Sequence, residues 1–461
     1  MMHLNRREAI SRLGGGLGGL ALAALLADEQ ARAESKSSNP KPHHAPKATA
    51  IIQLFMHGGP SHVDLLDPKP ALEKFDGKPP PAEVADDEKL TGNLLRSPFK
   101  FTPAGKSGIP FSEVLPGIAN HADDIAVIRS MFTEHRNHEQ ALWMMHSGLT
   151  VAGRPSLGAW AAYGLGSENR DLPAYVVLPD PKGLPVDGIR NWASGWMPPT
   201  FQGTQFRSEG TPVLNLTPKT ARSLAVEKGR MDLLGELNAQ HRSTRPGELE
   251  LDARIGSFEL ASRMQLSATD ALDLSKEPVK VQELYGLNNP VTRAYGLRCV
   301  MARRLVQRGV RFVQVFMAGQ PWDTHNNNAS QTRVCCQQTD KPVAGLLTDL
   351  KQMGLLDRTL VLWGGEFGRT PGAQGKDGRD HHPYGFSTWL AGGGIKGGTI
   401  HGATDDFGYR AVTDRCKVSD LHATILHLLG LDHSRLTFPH HGREERLTDV
   451  YEAKLIKPIL A

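Results

Sequence analysis

A chain of 461 residues, 39% hydrophobic and 22% charged, has the make-up of a globular protein and is long enough for one large α/β domain with insertions. Its formal charge of only +4, with no long basic run, gives nucleic acid little to hold by bulk electrostatics. Four cysteines, with Cys335 and Cys336 adjacent, exclude a disulfide scaffold or a zinc knuckle; they read as ordinary thiols with room for one bridge.

The N-terminus reads as an export signal. Arg6 and Arg7 precede "EAISRLGGGLGGLALAALLA", which is apolar but short of the roughly 20 residues that span a bilayer. "ARA" (Ala31 to Ala33) fits a cleavage site. The arginine pair resembles a twin-arginine signal, so the expected partner is the twin-arginine export machinery and the expected location periplasmic or extracellular. Residues 1–33 are therefore assigned to the signal, 34–49 to a solvated linker and 50–461 to the folded domain, with no transmembrane segment in the mature chain.

Beyond the linker, strands alternate with helices, the pattern of a mainly parallel sheet. "AIIQLFM" (Ala50 to Met56) runs into "HGGPSHVD", and "DIAVIRSM" ends near "TEHRNHE". "AYVVLPD" comes next, then the helix "TRAYGLRCVMARRLVQRG" leading into "RFVQVFM", which ends at "AGQPWDTH". "KPVAGLLTDLKQMG" reads as a helix with Pro342 in its first turn. "TLVLW" ends at "GGEFGRT", and "STWLAGGG" is the last strand. "VSDLHATILHLLG" closes the set as a helix capped by Ser419 and stopped by Gly430. Residues from about 220 to 270 are polar and helical. Lys69 to Ser112 and Pro179 to Leu216 lack this rhythm and read as long loops over the sheet's active edge. "IIQLFM", "RFVQVFM" and "TLVLW" are expected to be parallel neighbours.

Ligands in open α/β sheets bind beyond the carboxyl ends of the strands. Here those ends carry His57, His62 and Asp64; His135 and His138; Asp323 and His325; Glu366; and Asp380, His381 and His382. Imidazole and carboxylate suit zinc, manganese or iron at a hydrolytic centre. Glu366 leaves an apolar strand between Gly365 and Phe367, where a buried carboxylate needs a cation. Each residue also has a plainer reading: a loop histidine, a helix-capping carboxylate, or, for Arg369, a surface ion pair.

The motifs "GGPSHVDLLDPKP", "RNHEQA", "GRPSLGAW", "YGLGSEN", "WDTH", "EFGRTP", "GRDHHP" and "DLHATILHLLGLD" appear in this order from about Ile51 to Val450. Together they resemble the domain-of-unknown-function family numbered 1501, which is related to the alkaline phosphatase and sulfatase superfamily. The resemblance implies an alkaline-phosphatase-like fold, with a mainly parallel central sheet between helices, long loop insertions and a divalent metal (zinc, manganese or calcium) at the strand ends. It implies His57, Asp64, Asp323, His325, Glu366, Asp380 and His381 as metal ligands. "GGEFG" stands where the superfamily has Ser-Asp-His-Gly, so Glu366 would replace the aspartate and Phe367 the histidine.

The implied activity is an exported metal-dependent hydrolase of phosphate or sulfate esters. Its substrate would be an anionic ester such as a carbohydrate sulfate or phosphate. Arg369 would hold the substrate anion. No cysteine lies in a formylglycine context, and His138 falls near the nucleophile position, which points to a metal-activated water with His138 as ligand or general base. The alternative is a non-catalytic binding or scaffold protein on the same fold, favoured by the altered Ser-Asp-His-Gly motif and the missing nucleophile.

Overall fold

The computed structural model describes residues 42–81, 92–210, 212–213, 223–245 and 248–461. The signal segment and most of the linker lie outside these residues. At the linker's end, Lys47 and Ala48 donate backbone hydrogen bonds to Leu428, and Ala48 is fully buried, so this stretch docks on the domain.

The main strands are β1 (Ala50–Phe55), β2 (Ile125–Phe132), β3 (Tyr175–Leu178), β4 (Thr204–Gln205), β5 (Phe312–Val315), β6 (Thr359–Gly364), β7 (Gly368–Gln374), β8 (Gly378–His382), β9 (Phe386–Ala391), β10 (Thr399–His401) and β11 (Cys416–Lys417). The main helices are α1 (His138–Ser147), α2 (Leu157–Leu165), α3 (Leu224–Ser243), α4 (Leu249–Leu272), α5 (Arg293–Gln307), α6 (Asn328–Gln352) and α7 (Val418–Leu428).

One nine-stranded sheet runs in the order β10-β2-β9-β6-β1-β5-β3-β4, with β11 also paired to β2. β1 lies between β5 and β6 and is parallel to both, as expected from the three apolar runs. β9 is antiparallel to β2 and β6, which makes the sheet mixed but mostly parallel. The central strands are buried on both faces, so they read as continuous apolar runs rather than alternating ones. Two apolar clusters cover the faces. One contains Ile52, Leu54, Val313 and α6 leucines such as Leu346; the other contains Ile51, Phe55, Phe312 and α7 residues such as Ile425.

Several local expectations are corrected. α6 begins at Asn328, so Pro342 sits inside it rather than in its first turn. The N-cap of α7 is Lys417, whose N–H donates to Asp420 at 2.9 Å, and Ser419 lies within the first turn. The stretch Lys69 to Ser112 contains a helix, Pro70–Lys74, and a hairpin of Phe101–Ala104 with Ile109–Ser112. All four cysteines are free and buried, so no bridge forms. No helix among the described residues is long and apolar enough to cross a membrane.

Two backbone features place the strand ends. β7 and β8 form an antiparallel hairpin off the main sheet, with His381 opposite Arg369 and His382 opposite Gly368. At the end of β1, Gly58 has φ +111° and presses against the turn that carries Asp323: a Cβ there would lie 2.5 Å from the Asp323 nitrogen and 2.8 Å from the Trp322 carbonyl carbon. Both the backbone angle and the space demand glycine. Gly58→Ala should cost about 2–4 kcal/mol by strain and overpacking. Gly77→Ala, at φ +74° with nothing within 4 Å, should cost only about 1–2 kcal/mol. Urea unfolding of both variants checks the contrast.

Candidate functional site

The ends of β1, β5 and β6 and the β7–β8 hairpin converge on one carboxylate, Asp323. His325 Nε2 lies 3.0 Å from its Oδ1 and His381 Nε2 3.1 Å from the same oxygen. The two Nε2 atoms are 2.9 Å apart. His138 Nε2 approaches the other oxygen, Oδ2, at 3.3 Å.

Each histidine is oriented from behind by an oxygen acceptor. His138 Nδ1 is 2.7 Å from the Glu366 carboxylate. His381 Nδ1 is 2.7 Å from the Arg136 carbonyl. His325 Nδ1 meets the Gln374 side-chain oxygen. An acceptor at Nδ1 keeps a proton there, so that in a neutral ring Nε2 is the lone-pair nitrogen. Three Nε2 atoms therefore face one carboxylate.

This arrangement fits a cation. Ligands at right angles with bonds of about 2.1 Å stand about 3 Å apart. The triangle of His325 Nε2, His381 Nε2 and Asp323 Oδ1 has edges of 2.9, 3.0 and 3.1 Å. Two overlapping groups of potential ligands share His381: one adds His138 and Asp323, the other His325 and Asp380. Asp323 is 11% exposed and His325 34%, so the triangle opens to solvent on the His325 side.

The charges are balanced around Asp323. Burial alone would raise its carboxyl, but hydrogen bonds from His138 and His381 and the Arg369 guanidinium hold it well below the usual carboxylate range. Burial opposes charge on the His138 ring, yet hydrogen bonds to Asp323 and Glu366 lift it to about 9. His381 stays below its ordinary value, chiefly through burial.

Four residues do not take the roles expected of them. Glu366 is fully buried, and its oxygens accept from His138 and from the Gly58 N–H at 2.9 and 3.2 Å, so it orients a histidine instead of joining the ligand groups. Arg369 is fully buried. Its guanidinium donates to the carbonyls of Gly59 at 3.0 Å, Arg379 at 3.2 Å and Gly58, and to Asp323 at 2.5 Å, so its donors are spent on the backbone and on the Asp323 carboxylate. Asp64 pairs with Arg379 through both oxygens, at 2.7 and 2.9 Å, deep in the protein. His57 is fully buried, and among the described residues neither of its ring nitrogens is hydrogen-bonded and it joins no ligand group. Asp380 is buried near the triangle, accepting the His381 N–H at 2.9 Å and lying 3.7 Å from His325 Nδ1.

Sequence reasoning missed Gln320, which donates to Asp323 Oδ2 at 2.9 Å, and the supporting roles of Gln374, Arg136 and Arg379. The turn signal "QGKDG" was the available clue, because it forms the hairpin that brings Gln374 and His381 together. Among the described residues, none of the side chains hydrogen-bonded to His138, His325, His381 or Asp323 is a hydroxyl or thiol. Burial pushes the thiols of Cys299, Cys335 and Cys416 up to about 12, against thiolate chemistry at any of them.

The family profile described as "Protein of unknown function (DUF1501)" matches residues 48–460, and the chain belongs to that family. No curated protein matches it in sequence. Solved structures similar to it include the lipoteichoic acid synthase LtaP from Listeria monocytogenes, at 9% identity and TM-score 0.38, with 86% of this chain and 75% of that one covered. The PsFucS1 sulfatase from Pseudoalteromonas sp. matches at 14% identity and TM-score 0.36, over 87% and 72%. The phosphonate monoester hydrolase SpPMH from Silicibacter pomeroyi matches at 12% and 0.30, over 75% and 71%.

A raised histidine pKa stabilises the fold fully below the unfolded value of about 6.5, and that stabilisation is lost as pH rises through the folded value. For metal-free protein the His138 contribution should therefore disappear between pH 6.5 and about 9. The loss should be on the order of 3 kcal/mol. Urea unfolding across this range, on chelator-treated protein, should show a decline in wild type that His138→Gln flattens.

Proposed function

We propose that this DUF1501 member is a metal-dependent hydrolase of phosphate or sulfate esters. In this reading His325, His381 and Asp323 hold one divalent cation, with His138 beside it as the proton-transfer group. The observation that carries the reading is the 2.9–3.1 Å triangle of two Nε2 atoms and one carboxylate oxygen. When bound, the cation supplies Lewis acidity toward an ester oxygen and lowers the pKa of water.

The chain's own residues supply the rest. Arg369 and Gln320 fix the Asp323 carboxylate from both sides. Glu366 accepts from His138 Nδ1 and favours the protonated ring, so that Nε2 can give a proton to the leaving oxygen and recover one from water afterwards. Gly58 donates to Glu366 and so locks the dyad to the end of β1. Asp380 fixes the His381 backbone. Export through the twin-arginine pathway belongs to the same proposal and rests on Arg6 and Arg7.

The triangle is also the two-histidine, one-carboxylate set used by mononuclear non-haem iron centres. Iron in the purified protein, with no ester hydrolysis, would select that second reading.

The test joins metal analysis of protein purified without chelator to turnover of aryl phosphates and aryl sulfates with added zinc, manganese or calcium. Asp323→Asn should lose the metal. His138→Gln should keep it and lower turnover by roughly 10²–10⁴-fold. Metal-loaded wild type that turns over neither ester class would remove the hydrolase reading.

A further inference from the structure

The start of α7 lies beside the exit of β2 because β11 pairs there, with Lys417 in register with Phe132. Between them is a cleft of about 250 Å³, counted out to its open mouth, which Met144 of α1 and Tyr451 also line. None of its lining residues belongs to the Asp323 site.

Two hydroxyl residues line this cleft, Thr133 and Ser419, and they are only 4% and 2% exposed. Among the described residues neither hydroxyl has a hydrogen-bond partner. Ser419 is the residue that the sequence marks as the cap of α7. Asp420 has taken that work, accepting the Lys417 N–H at 2.9 Å and the Lys454 N–H at 2.7 Å, so the Ser419 hydroxyl is left over. Thr133 spends its backbone N–H on Pro383 and leaves its hydroxyl over as well. A buried hydroxyl without a partner costs about 1–3 kcal/mol. Two of them at one cleft call for a polar occupant.

The charges around the cleft select its kind. Lys417 Nζ lies 5.7 Å from the centroid of the Tyr451 ring and makes no ion pair among the described residues. The eleven residues of α7 present their positive dipole end at Val418. An ammonium, a helix N-terminus and two idle hydroxyls favour a negative head group. Glu134 stands at the other end of Tyr451, accepting from its hydroxyl at 3.2 and 3.4 Å. That carboxylate repels a second negative charge, which disfavours a dianion such as phosphate. The rest of the lining, Phe132, Met144 and Val418, is apolar and suits a short hydrocarbon tail.

We infer that this cleft binds a small monocarboxylate, whose head meets Lys417, Ser419 and Thr133 and whose tail lies on Phe132, Met144 and Val418. A short fatty acid and a free α-amino acid both offer this chemistry, and only the second carries an ammonium for Glu134.

The test follows the Met144 methyl resonance by NMR, identified by its absence from Met144→Leu. Chelator-treated protein, in which no metal competes for the carboxylate, is titrated with butyrate and separately with L-2-aminobutyrate. One acid or both should move the resonance to saturation. Thr133→Val with Ser419→Ala should weaken the tighter acid roughly tenfold, and the exposed Lys417→Gln roughly fivefold. Near-UV circular dichroism checks that each variant is folded, and Lys417→Gln decides alone if the double variant is not. Tighter butyrate binding identifies a fatty acid. Tighter aminobutyrate binding that Glu134→Gln abolishes identifies an amino acid. No saturable shift with either acid, or unchanged affinity in the folded variants, overturns the site.

Discussion

The site depends on keeping one largely buried carboxylate, Asp323, ionised. A buried charge is stable only with close partners. Asp323 has Arg369 on Oδ1, Gln320 on Oδ2 and three imidazoles around it. Those partners need positions of their own. Arg369 reaches Asp323 because it also grips the carbonyls of Gly58 and Gly59 at the end of β1. Gly58 can lie there only because it lacks a side chain. The same residue donates to Glu366, which in turn orients His138. One electrostatic requirement therefore couples β1, the Asp323 turn after β5, the exit of β6 and the β7–β8 hairpin.

This arrangement separates the candidate ligands from their supports. Glu366 and Arg369 are fully buried charged groups near the centre, and neither faces an open position. They fix the groups that do. Asp64 and Arg379 do similar work beneath the hairpin, where their two-point ion pair also meets Asn328. Removing one partner of such a buried pair typically costs about 3–5 kcal/mol. The pair's service is to hold the strand that presents Asp380 and His381.

Much of the sheet was legible because its central strands are buried on both faces. A short, continuous apolar run such as "RFVQVFM", bounded by turn residues, is what a strand covered on both sides requires, and the polar exits of these runs marked the active edge. The meeting of Asp323, His325, His138 and His381 at one place was legible for the same reason. The roles of Glu366, Arg369 and Asp64 were not, because composition at a strand exit does not say which way a side chain turns. That is decided by the hairpin register pairing His381 with Arg369, a tertiary fact. The start of α7 went astray because Asp420, in the helix's own first turn, accepts the Lys417 N–H and so sets the cap at Lys417 instead of Ser419.

The central claim is that the triangle of His325, His381 and Asp323 is a metal centre. Crystals soaked in manganese and measured at wavelengths on either side of the manganese absorption edge test it most directly. The account predicts one strong anomalous peak about 2.0–2.2 Å from His325 Nε2, His381 Nε2 and an Asp323 oxygen, absent in crystals of Asp323→Asn. A fully occupied peak elsewhere, or no peak at the triangle with the site open to solvent and manganese in excess, would contradict it.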